Sequence, residues 1–178
     1  MSAEQISGLP SAGLLRRLGA AVYDLLPILA LLIVATVPFL PFLHGRVLVA
    51  QEVGALAYLY RLVQLIVTAA FFVYFWTSRG QTIGMLAWRL RLQNTDGSLI
   101  SVRTALQRLA IVFALMVVPI AAYWSIWQRW AHGPAKWLAL SISLLPLALA
   151  YVWVWVDDQG RAWPDRWTGT RVVVLPKR

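Results

Sequence analysis

Four stretches of this chain are each long and apolar enough to cross a bilayer, and nothing else in the sequence limits its fold as strongly. A hydrocarbon core about 30 Å thick needs about 20 mostly apolar residues in helical form, because lipid offers no partner to an open backbone N–H or C=O. The stretches run from about Leu18 to Leu43, Gly54 to Trp76, Leu109 to Trp127 and Leu138 to Val156. The expected fold class is an all-α polytopic membrane protein with four transmembrane helices. Composition points the same way. With 60% hydrophobic and 13% charged residues, the 178-residue chain has too little polar sequence to cover a soluble core.

A formal charge of +9 would suggest nucleic acid on a soluble protein. In a membrane protein the basic residues instead set orientation. If the N-terminus is cytoplasmic, Arg16, Arg17, Arg79, Arg89, Arg91, Arg103, Arg108, Arg161, Arg166, Arg171, Lys177 and Arg178 lie inside. Only Arg46, Arg129 and Lys136 lie outside, and Arg61 falls within a span. Both termini are therefore expected in the cytoplasm, with no nucleic-acid partner. Residues 1–15 read as a mobile tail, 16–176 as the membrane domain, 77–108 as a cytoplasmic loop and 157–178 as a cytoplasmic tail. The first apolar run is too long for a usual signal peptide and is expected to remain as an anchor. Trp124, Trp127 and Trp130 share one helix face at the outer end of the third span, while Trp76, Trp88, Trp163 and Trp167 fall near the inner edge. Such rings suit interfacial belts, with ligand stacking the alternative.

In the loop, Arg89, Arg91 and Gln93 alternate with Leu90 and Leu92 before Thr95-Asp96-Gly97. Period-two alternation into Asp-Gly predicts a small cytoplasmic β-hairpin between spans two and three, against a membrane-surface helix. Thr170 to Leu175 is a second β-branched run that could pair with it. Gly80 and Gly84 are spaced for either close helix approach or a tight bend.

Of the seven acids, Asp24 alone falls within a span, about 9 Å deep at 1.5 Å per residue. A carboxylate there must be paired, hydrated or protonated, so intramembrane acids usually face a bundle interior or a water-filled cavity. Pro27 cannot donate to the Tyr23 carbonyl, which leaves a bare oxygen beside Asp24 of the kind a small hard cation prefers. A structural acid paired with an arginine is the competing reading. Arg17 lies two turns earlier on nearly the same face, about 10 Å along the axis, which is long for a direct bridge. Arg61, Gln64 and Thr68 form a polar stripe on the second span that either lines an aqueous path or holds helices together. Asp165 is placed to cap a short helix that Gly169 ends.

Catalytic sets are missing. The two histidines, His44 and His132, fall in outward loops and there is no cysteine, so no metal, cofactor or enzyme activity is expected.

The segments Arg16-Arg-Leu-Gly-Ala-Ala-Val-Tyr-Asp24, Gly80-Gln-Thr-Ile-Gly84 with Asp96-Gly97, and Asp165-Arg-Trp-Thr-Gly-Thr-Arg-Val-Val173 together resemble the RDD family of bacterial membrane proteins. The resemblance runs from about Leu14 to Val174. It implies a location in the bacterial inner membrane, with Arg17, Asp24 and Asp165 as the functional set. The family pattern has a histidine before the second aspartate where this chain has Pro164, so no proton-relay role for that histidine carries over. The resemblance also implies transport of a small ligand, with exchange of a monovalent cation for a proton at Asp24 as one form. Four spans make a thin wall, so a carrier would work as a homo-oligomer. The alternative is a non-catalytic adaptor whose Arg89, Arg91, Arg103, Arg166 and Arg171 bind anionic lipid or a partner protein.

Overall fold

The computed structural model describes residues 9–43, 54–130 and 135–176. His44, Arg46, His132, Lys177 and Arg178, together with the side chains of Trp127, Arg129, Trp130 and Lys136, lie outside the described residues.

Helix α1 (Leu14–Thr36) contains Pro27 and passes through a 3₁₀ turn (Val37–Phe39) into the short α2 (Leu40–Leu43). Helix α3 (Ala55–Ser78) follows, then the five-residue α4 (Ile83–Ala87) and strand β1 (Leu90–Asn94). Helices α5 (Val102–Trp130) and α6 (Ala135–Val152) come next, α6 running into a 3₁₀ turn (Trp153–Trp155). The chain closes with α7 (Trp163–Thr168) and strand β2 (Thr170–Val174). Three segments are long and apolar enough to cross a membrane: Leu14–Phe42, Ala55–Ser78 and Val102–Ala121. The apolar helical stretch Leu140–Trp155 is shorter. Side chains such as Leu25, Leu26, Val34, Tyr58, Ile66, Val118 and Ile120 are exposed along these helices, as expected where lipid takes the place of water.

At one end of the helices sits a small antiparallel sheet. β1 pairs with β2 in the register Leu90↔Val174 to Asn94↔Thr170. The expected hairpin is not formed, although its turn is. Gly97 takes φ +86°, Asp96 accepts from Ser98, and Asn94 exchanges backbone bonds with Gly97 and Ser98. The return arm then ends at Ser101, whose hydroxyl accepts from the Thr104 N–H at 3.1 Å and starts α5. No length remains for a partner strand, and the edge of β1 goes to β2 instead. The expectation that Thr170–Leu175 pairs with this strand agrees with the sheet.

The N-terminal tail is corrected in part. Residues 1–8 lie outside the described residues, but 10–12 run along the free edge of β2. Ala12 N–H donates to Val172 O at 2.8 Å, Val174 N–H to Pro10 O at 2.9 Å, and Ser11 bridges Val173. A segment without helical periodicity still becomes ordered when a strand edge offers it backbone partners. Leu90, Leu92, Ile100, Ala105, Val172 and Ala12 form the core of this layer, and Trp76 and Met85 join it to the helices.

Candidate functional site

Two buried aspartates stand at the junction of the helices and the sheet, and their surroundings differ.

Asp165 is the N3 residue of α7, and its Oδ2 accepts from the Ala162 N–H at 3.1 Å, the reciprocal arm of a capping box. Gly169 ends the helix in the left-handed conformation at φ +64°. The expected capping role is present, but it is the smaller part of what this residue does. Arg17 Nη1 lies 2.6 Å from Oδ2 and Arg108 Nη2 lies 2.6 Å from Oδ1, with the carboxylate fully buried. Arg17 also donates to Ala12 O and Gly160 O, and Arg108 to Thr170 Oγ1. The Arg108 guanidinium stands 5.7 Å from the centre of a Trp76 ring. Burial alone would push the Asp165 carboxyl up, but the guanidinium groups of Arg108 and Arg17 outweigh it and hold it below its ordinary value.

Asp24, on α1, is 4% exposed. Thr82 Oγ1 donates to its Oδ2 at 2.6 Å and Gly84 N–H to its Oδ1 at 2.7 Å. The same Thr82 oxygen accepts from the Met85 N–H and caps α4. This approach depends on glycine. A Cβ on Gly84 would collide with the carbonyl of Ala20 and stand 2.9 Å from Asp24 Cγ. Gly80, at φ +68°, turns the chain from α3 toward α4. The close approach and the tight bend are therefore both present, one at each glycine. Among the described residues Asp24 makes no ion pair. The direct bridge from Arg17 that the spacing disfavours is not formed, and Arg17 pairs with Asp165 instead.

A cavity of about 420 Å³ lies between α1, α3 and α5. Asp24 and Arg17 line it from α1, Thr68, Phe72 and Trp76 from α3, and Arg108, Val112 and Met116 from α5, with Tyr151 of α6 and Thr82 also on its wall. The polar stripe on the second span divides. Gln64 Nε2 donates to Leu32 O at 3.2 Å and Thr36 Oγ1 at 3.1 Å, so it joins α3 to α1. Thr68 donates to Gln64 O on its own helix and faces the cavity. Arg61 is exposed, 5.9 Å from the Tyr58 ring centre, away from the lining. No group of three or more His, Cys, Asp or Glu side chains gathers among the described residues.

The chain matches the RDD family over residues 11–169. It belongs to the RDD family. No curated protein and no solved structure matches it. The RDD match covers α1 through α7 and includes Arg17, Asp24 and Asp165. With three span-length apolar helices, this RDD chain is a multi-pass membrane protein in contact with the lipid bilayer. Two members of the site were not singled out by sequence. Arg108 read as one of many basic flanking residues, and only its position at the start of the third span, level with Arg16-Arg17 at the start of the first, hinted at a shared partner. Thr82 carried a cap signal, a threonine just ahead of a short apolar run, but nothing local tied it to Asp24 58 residues away.

Proposed function

We propose that this RDD protein is an inner-membrane carrier for a small ligand, with monovalent cation/proton exchange at Asp24 as its elementary step. One observation carries the reading: a buried carboxylate without a cationic partner among the described residues lines a cavity between apolar helices. In such a place a carboxylate must acquire a proton or a cation, and alternation between the two is exchange. Thr82 and Gly84 N–H orient the carboxylate, and Thr68 offers a hydroxyl on the facing wall. Arg17 and Asp165 act as positioning residues that tie α1 to the sheet.

Four crossings with both termini cytoplasmic complete the reading. Residues 10–12 and β2 are hydrogen-bonded to each other, which supports an even number of crossings between them. β1 joins the same sheet, which supports two crossings before it and two after it, the last through α6. The excess of arginine at this end supports its cytoplasmic assignment. A homo-oligomer would supply the wall that four helices lack.

The test is flux in reconstituted vesicles holding a pH-sensitive dye. An inward sodium or potassium gradient should drive proton efflux with wild type, and Asp24→Asn should abolish it. Equal flux from both proteins would remove the mechanism. The adaptor reading has one observation in its favour: Arg89, Arg103 and Arg166 are exposed at the sheet end, where each basic residue near an anionic surface contributes about 1 kcal/mol.

A further inference from the structure

Exchange at Asp24 uses one wall of the cavity, and the opposite charge on the other wall narrows the class of ligand. This step rests on the reading of Asp24 as a ligand site. Asp24 is 4% exposed and the Arg108 side chain 10%, both line the same cavity, and they form no ion pair with each other. A guanidinium has five N–H donors, and the bonds of Arg108 to Asp165 and Thr170 leave donors for a further acceptor. Each Asp24 oxygen takes one protein donor, which leaves a lone pair on each. A ligand that offers an N–H cation and an anion together fills the open positions on Asp24 and Arg108 at once, where a lone cation or a lone anion fills one of them.

Leu25, Ile28, Phe72 and Met116 supply apolar wall to the same cavity. We propose that the cavity binds a zwitterion with an apolar body, its primary ammonium on Asp24 and its anionic oxygens on Arg108. Free apolar α-amino acids have this chemistry, and so does the ethanolamine-phosphate head of a bilayer lipid.

The experiment uses the full chain in phosphatidylglycerol nanodiscs. Equilibrium dialysis measures labelled leucine, with 3-methylbutylamine and 4-methylpentanoate, each lacking one of its charged groups, as competitors. Native mass spectrometry in parallel compares retention of phosphatidylethanolamine with phosphatidylcholine, whose quaternary nitrogen has no N–H for Asp24. The expected result is a preference of about tenfold or more for the member that carries both an N–H cation and an anion, either leucine over both competitors or the ethanolamine lipid over the choline lipid. Whichever pair shows it identifies the source. Asp24→Asn should erase the preference, while the analogue series in wild type tests the idea without any variant. Equal binding within both series, or no saturable binding of leucine and of the ethanolamine lipid, overturns the proposal. Asp24-dependent proton flux without zwitterion binding sinks this inference and leaves the exchanger reading, whereas zwitterion binding without flux does the reverse.

Discussion

Asp165 and Asp24 are the same residue in two electrostatic situations. Asp165 is fully buried against two guanidinium groups, and removing the shared partner of a buried pair leaves charge uncompensated, at a cost of about 3–5 kcal/mol. Asp165→Asn should therefore lower the thermal midpoint in detergent sharply, read by tryptophan fluorescence. The same pairing gives stability a pH dependence. The folded-state carboxyl titrates below its unfolded value, so its contribution is complete above the ordinary carboxylate range and is lost as pH falls through the lowered folded value. Midpoints taken from about pH 7 down to about pH 3 should fall in wild type and fall less in Asp165→Asn, which has no such proton to gain. Asp24 was legible in the sequence because the bilayer makes any acid in a span conspicuous. The ion-pair role of Asp165 was not, since Arg17 lies 148 residues away and arginines at a membrane edge have a sufficient reason to be there already.

Between elements, the decisive contact is α1 against α4, which Gly84 makes possible. Gly84→Ala should destabilise by about 1–3 kcal/mol because the added methyl meets backbone that cannot rotate aside. Gly13→Ala, with open space around its site, is the control and should leave the melting curve in place. Gln64→Leu breaks the α3–α1 hydrogen bonds at a cost of about 0.6 kcal/mol and should leave ion flux intact, since the side chain binds helices together rather than facing the cavity. The strand β1 was readable from its alternation and the following turn from Asp96-Gly97. Its partner Thr170–Val174 was readable as a β-branched run, but as an addition to a hairpin, because local pattern ranks an adjacent return arm above a strand beyond three further helices. Ser101 decided otherwise by starting α5 early, a cap signal that competed with the hairpin and won.

At the scale of the whole molecule, the apolar runs gave three span-length helices directly. Their ends shifted: α1 begins at Leu14 rather than Leu18, and α5 at Val102 rather than Leu109, because helices continue through the polar layer that hydropathy excludes. The stitching of residues 10–12 to β2 had no sequence signature at all. It can be tested in a chain that has no cysteine of its own. Ser11→Cys with Val173→Cys places two thiols on directly opposed antiparallel residues, within reach of a disulfide. The oxidised double variant should run as a monomer with altered mobility on a non-reducing gel and melt at a higher temperature than its reduced form. A ladder of intermolecular species in its place would mean that the two segments do not pair.

The late position of α7 gives the paired charges a history. Arg17 and Arg108 flank the first and third spans, where free cations influence the direction in which a helix enters the membrane. Asp165 follows them by 148 and 57 residues, so both guanidinium groups are still unpaired while those helices insert. When α7 docks, one buried carboxylate neutralises both charges and ties the start of α1 to the start of α5.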